Sequence, residues 1–149
     1  PLGDLPLLFC LAPGHPLSKA AEPLGHDQLV HHRAVAVADT AQRITPLTLN
    51  LLPGQDVLTV PRMEVKLEVL LRGLGCGFVP EPLARLHLEA GRLVRRETAS
   101  GEQVARMFYA WRAERGEAGL GRALQWWLKQ LDSSVTRRAL LGTGRVPRR

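Results

Sequence analysis

The sequence predicts an α/β fold, and three observations carry that reading. Arg62 to Pro82 (RMEVKLEVLLRGLGCGFVPEP) runs from an amphipathic stretch through three glycines into a short apolar run ending at Pro80. Val57-Leu58-Thr59-Val60 stands just before it, which makes a β-α-β unit with a crossover of ordinary length. Elsewhere in the 149 residues, short apolar runs alternate with segments of helical period.

Taken in chain order, Leu5 to Ala12 (LPLLFCLA) reads as a buried strand closed by the Pro13-Gly14 turn, with His15-Pro16-Leu17-Ser18 after it. Pro23 to Leu29 is a short loop or helix, and Val30 to Ala38 (VHHRAVAVA) a second strand. That strand ends at Asp39-Thr40, whose side chains can bond their own backbone or cap the next element. Thr45 as N-cap and Pro46 at the first helical position predict a helix over Leu47 to Leu52, stopped by Pro53-Gly54.

In the central unit, Met63, Leu67, Leu70, Leu71 and Leu74 fall on one helical stripe, with Arg62, Glu64, Lys66, Glu68 and Arg72 assigned to the solvent side. Glu68 stands four residues before Arg72, a weakly stabilising surface pair. Gly73 is placed where a helix end needs positive φ. Cys76 to Val79 lacks alternation, which predicts a buried parallel strand. Pro82 opens a helix carrying Leu83, Leu86 and Ala90, with Gly91 as its stop. Leu93-Val94 and Val104 to Arg112 are strands on either side of a polar turn, Thr98 to Glu102. A last helix from about Glu117 to Leu131 presents Leu120, Leu124, Trp127, Leu128 and Leu131 on one face, with Trp126 off it.

Hydrophobic residues make up 45% of the chain, enough for a real core and for two small lobes at most. No run of apolar residues is long enough to span a bilayer, and the first residues do not have the pattern of a signal peptide, so a soluble cytoplasmic protein is expected. The net charge of +6 suggests nucleic acid until it is mapped: all but one unit comes from the five arginines after Asp132, where there is no acid. Residues 133–149 therefore read as a basic flexible tail. Cys10 and Cys76 lie in apolar runs and read as buried reduced thiols.

The chemistry is sparse. The three glycines follow a helix, whereas a phosphate cradle needs them before a helix N-terminus. His31 and His32 are neighbours in an expected strand and point to opposite faces, and His15, His26 and His87 have no partner at ligand spacing, so neither a metal nor a cofactor is called for. No nucleophile motif is present, which argues against an enzyme. The polar residues in an informative place are Asp39, Thr40, Gln42, Arg43 and Thr45, at the C-terminal end of a strand where α/β sheets bind ligands. Arg43 can hold a carboxylate in two-pronged fashion, and Gly77, Phe78, Val79 and Pro80 offer apolar and backbone contacts at the same rim. A solvated loop with a helix cap explains the polar cluster equally well.

The runs LPLLFCLAPGHPLS (Leu5–Ser18), AVAVADT (Ala34–Thr40), LLRGLGCGFVPEPLARLHLEAGRLV (Leu70–Val94), FYAWR (Phe108–Arg112) and ALQWWLKQL (Ala123–Leu131) resemble the LysR-type transcriptional regulators, over most of residues 4–131 and in family order. The combination of GLG-x-G-x-VP with the upstream HPL is the specific part. The resemblance implies a partial effector-binding domain of type 2 periplasmic-binding-protein fold over residues 1–132, with two α/β lobes and a cleft between them. Residues 13–80 are the second lobe, and 1–12 and 81–132 supply crossover and first-lobe elements.

It further implies a small effector, acidic or aromatic, bound by Thr40, Gln42, Arg43, Thr45, Gly77, Phe78 and Pro80. It implies a homo-oligomer, dimer or tetramer, and contact with DNA only through an N-terminal helix-turn-helix that these residues do not contain. No membrane partner is expected. A solute-binding protein of a transport system shares the fold and is the alternative. An enzyme on the same fold would need a catalytic residue in the cleft. A redox sensor would need Cys10 and Cys76 close enough to bridge.

Overall fold

The computed structural model describes residues 1–38, 51–112 and 121–143. The chain divides into two compact units, Pro6–Gln103 and Pro1–Leu5 with Val104–Arg149.

In the unit Pro6–Gln103, strand β1 (Gly3–Leu11) runs antiparallel to β4 (Gly77–Pro80), with Leu7 opposite Pro80 and Cys10 opposite Gly77. Its other edge pairs antiparallel with β5 (Val94–Arg96), Leu11 facing Val94. A separate two-stranded sheet holds β2 (Ala34–Val37) parallel to β3 (Val57–Val60). One stretch of chain serves both sheets: Cys76 exchanges backbone bonds with Arg33 and Val35, at 3.0 and 2.9 Å, before the next residues pair with β1. Gly75 allows this approach, since a Cβ there would stand 2.7 Å from Val35 Cγ2 and 2.8 Å from the Arg33 carbonyl oxygen.

Helix α2 (Met63–Leu71) packs on β2, β3 and β4. It ends as the sequence predicts, with Gly73 at φ 71°. The Gly73 N–H donates to Leu70 O and the Leu74 N–H to Val69 O, a Schellman closure that satisfies two terminal carbonyls. The Glu68–Arg72 pair forms at 2.8 Å. Alternation along β1 sends Cys10 to a cluster with Val35, Val60, Leu70, Val79, Ala84 and Leu93, and sends Phe9 and Leu11 to a second with Leu17, Leu24, Leu29 and Cys76. The strand is covered on both faces, which is why its sequence is a continuous apolar run.

Several expectations change. The strand after the glycines is antiparallel to its main partner rather than parallel. A continuous apolar run reports burial of both faces and carries no information on direction. The strand expected over Val30–Ala38 starts only at Ala34. Before it, α1 (His26–Leu29) leads into a turn in which Gln55 Nε2 donates to the Leu29 and His32 carbonyls at 3.0 Å each, so those groups are not offered to a sheet. Thus His31 and His32 lie in that turn and not in a strand. In α3 (Glu81–Glu89), Ala84 and Leu88 meet the core, while Leu83 and Leu86 are exposed. Leu74, beyond the Gly73 turn, is exposed too.

In the other unit, the start of β1 pairs with β6 (Gln103–Met107), and the Leu2 N–H donates to Met107 O at 2.8 Å. The strand expected to reach Arg112 stops at Met107. Helix α4 (Arg122–Leu131) packs with α5 (Ser134–Leu140) and buries no residue fully. Residues 134–140, expected to belong to a flexible tail, are this second helix. Ser133 Oγ accepts from Thr136 N at its start, and Arg137 donates to the Asp132 carbonyl at 2.9 Å, so local bonds close its first turn.

Candidate functional site

A cavity of about 300 Å³ opens in the unit Pro6–Gln103. The alternation of β1 aims Leu7 and Phe9 at it, β2 lines it along Ala34–Val37, and α2 adds Met63 and Lys66. Gly77 and Phe78 of β4 complete that wall, with Leu51 and Leu52 on another side. The Phe78 ring meets Phe9 edge-on at 5.2 Å between centroids, a favourable arrangement that holds both rings at the wall.

Of the four polar side chains in the described lining, His26, Gln55, Lys66 and Ser100, two are engaged within the protein. Gln55 spends its amide nitrogen on Leu29 and His32 and its oxygen on the Leu52 N–H, at 3.2 Å. Ser100 shares a hydrogen bond with Thr98 at 2.9 Å. Lys66 differs. It is 8% exposed, and among the described residues no hydrogen bond or ion pair reaches its ammonium group. Its Cε and Nζ lie 3.2 and 3.3 Å from where a Cβ on Gly77 would stand, so the absence of a side chain at Gly77 makes room for them.

Burial pulls the Lys66 pKa from the usual 10.5 down to about 8, against the weaker opposing influence of the Cys76 and Cys10 thiols. Burial likewise pushes both thiols up to about 11, which keeps them protonated and unreactive at neutral pH. The two cysteines are free and belong to different core clusters. His15 Nδ1 accepts from the Leu17 N–H at 3.1 Å, and burial, with the His32 ring beside it, lowers its pKa. Among the described residues no group of three His, Cys, Asp or Glu side chains is placed to hold a metal.

Of the residues singled out in the sequence, Gly77 and Phe78 line the cavity. Pro80 pairs with Leu7 at the end of β4 and is not among the lining residues. Thr40, Gln42, Arg43 and Thr45, with the helix expected over Leu47–Leu52 up to Asn50, lie outside the described residues. The charge pattern of α2 assigns Lys66 to the solvent side, and the structure corrects this. The signal was present: Lys66 is three residues after Met63 and four before Leu70, which puts all three on one helix face.

The model of the family described as "LysR substrate binding domain" matches residues 1–135. The chain belongs to that family. This LysR substrate-binding domain is 35% identical over 130 residues to the uncharacterised HTH-type transcriptional regulator YeeY of Escherichia coli, covering 87% of the domain and 41% of YeeY. It is 42% identical over 94 residues to the HTH-type transcriptional activator AllS of Klebsiella pneumoniae, covering 63% of the domain and 35% of AllS. The chain thus spans well under half the length of these relatives, which are HTH-type transcriptional regulators.

Among solved structures, the regulatory domain of the LysR family regulator MetR from N. meningitidis shares the fold of this LysR substrate-binding domain. The TM-score is 0.58 at 18% identity, over 99% of this chain and 64% of that one. Full-length LysG from Corynebacterium glutamicum with bound effector Arg also reaches 0.58 at 19% identity, over 87% of this chain and 43% of that one. With the family match, the fold is of the periplasmic-binding-protein type 2 class that the resemblance implies. No helix among the described residues is long and apolar enough to cross a membrane.

Proposed function

We propose that this domain senses a small metabolite and passes the signal to a DNA-binding helix-turn-helix elsewhere in the same regulator. The observation that carries the reading is the cavity beside Gly77 and Phe78, a concave apolar site with one unengaged charged group. In this reading the cavity is the chain's contribution to the cleft in which the resemblance puts the ligand. The segment holding Thr40, Gln42, Arg43 and Thr45 follows β2, one of the lining strands, and supplies further contacts. The bound Arg of LysG supports a ligand-responsive role for the fold. The HTH-type relatives favour a cytoplasmic regulator over a solute receptor or an enzyme, and the resemblance makes it a homo-oligomer.

The test is operator binding by the full-length regulator with and without a metabolite extract. The expected result is a change in operator affinity, with a matching rise in melting temperature. An extract that alters neither refutes the sensing role.

A further inference from the structure

Lys66 is 8% exposed, and its ammonium group is unpartnered among the described residues and set in the wall of a cavity whose other surfaces are largely hydrocarbon. Burying a charge without a partner is costly, and the cost is recovered when an opposite charge arrives with good geometry. A neutral ligand leaves the ammonium uncompensated. Among the described lining residues Lys66 is the one ammonium or guanidinium group, so a single carboxylate matches the charge this wall presents. Gln55 and Ser100 are engaged within the protein, so the polar end of a ligand has Lys66 as its cationic anchor, with the His26 ring on the same cavity. The volume of about 300 Å³ is at the small end of ligand pockets.

We propose that Lys66 binds the carboxylate of a small monocarboxylic acid whose aliphatic or aromatic body fills the space between Phe9, Phe78, Val35 and Leu52. The proposal rests on the ligand-sensing reading and gives it a ligand class. The acid's carboxylate sits against Gly77, where the absence of a Cβ leaves the ammonium accessible. The ring of Phe78 covers the ligand's body, and Met63, on the same helix face as Lys66, adapts to its shape.

The groups that face Lys66 define the pH behaviour. From β1 and the start of β4 these are the thiols of Cys10 and Cys76, both protonated through neutral pH. His26 of α1 lines the same cavity, and no carboxylate does so among the described residues. Because the empty site's lysine titrates at about 8, acid binding weakens about tenfold between pH 7 and pH 9, and binding of a neutral analogue does not change.

The experiment is calorimetric titration of the full-length regulator with benzoate and hexanoate, and with benzamide and hexanamide, at both pH values. The expected result is that an acid binds at least about tenfold more tightly than its amide at pH 7. In Lys66→Met, checked as folded by circular dichroism, that preference disappears. The comparison within the wild-type protein stands even where the variant does not fold. Equal affinity for acid and amide, an unchanged preference in Lys66→Met, or no binding of either acid overturns the assignment. If a neutral component of the metabolite extract still shifts operator binding, the anion anchor falls and ligand sensing stands. An extract without effect removes both.

Discussion

Helix α4 has the cleaner apolar stripe of the two principal helices, with Leu124, Trp127, Leu128 and Leu131 on one face and Trp126 off it, yet it buries no side chain fully. Helix α2 has apolar residues on most sides and one lysine among them, and it buries both Leu70 and that lysine. In the unit that holds α4, Trp126, Trp127, Val135 and Leu140 are all exposed. The difference separates two things that periodicity tends to merge. A stripe tells which face of a helix will be buried, and a partner surface decides whether it is. For α2 that surface is β2, β3 and β4, whereas α4 has α5. The chain covers 41% of the length of its relative YeeY.

The largest expected effect tests this contrast directly. Leu70→Ala empties a position with 0% exposure and costs about 2–5 kcal/mol in urea unfolding of the chain. Trp127→Ala, at a side chain 48% exposed that meets Trp126 edge-on, costs less, about 1 kcal/mol. In the full-length regulator the Trp127→Ala cost rises well above that value if the α4 face is covered there. Similar costs for the two substitutions in the chain itself would erase the distinction between the helices.

Next comes Lys66→Met. A lysine pKa held at about 8 corresponds to roughly 3 kcal/mol against its charged form, so removing the ammonium group stabilises the domain by that order at pH 7. The sign reverses the usual expectation for a lysine. The cost is complete below pH 8 and is relieved as pH rises from about 8 toward 10.5. The raised thiols of Cys10 and Cys76 act oppositely, since their stabilisation is complete below pH 9 and is lost toward pH 11. Wild-type melting temperature therefore rises between pH 8 and 9 and falls above, and Lys66→Met keeps only the fall. A flat wild-type profile from pH 8 to 9 argues that Lys66 is solvated.

Gly75→Ala is third, at about 1–3 kcal/mol, because its Cβ meets the Arg33 carbonyl and Val35. Gly14→Ala is the control, with nothing within 4 Å, and leaves the melting temperature unchanged. The smallest effect belongs to Arg33→Ala, which removes the 2.7 Å pair with Asp56. Both partners are about half exposed or more, so double-mutant analysis is expected to find less than about 1 kcal/mol.

The sequence is legible where a bond closes within a few residues. The end of α2 at Gly73, the Glu68–Arg72 pair and the β3 strand follow from local spacing, and the structure has all three. The candidate site is half legible. Gly77 and Phe78 stand out because a strand end in an α/β sheet marks a rim, while Lys66 escapes notice because a charged residue beside an apolar stripe is ordinarily solvated. Helix α5 escapes notice because composition points to a solvated tail, and Arg137 instead folds back onto the end of α4.

What the sequence determined by itself is the unit of β3, α2 and β4 with its end at Gly73, the place of the charge and, through the order of its motifs, the family resemblance. Each depends on chemistry within a few residues or on the order of short motifs. What only the tertiary structure decided is direction and burial: that Cys76 joins Arg33 and Val35 before its strand turns to pair with β1, and that Lys66 comes to lie beside Gly77. Both depend on groups far apart in the chain or across a helix-sheet interface. A strand's apolar run is the same for either direction, and a lysine's surroundings do not exist until the sheet beneath it has formed.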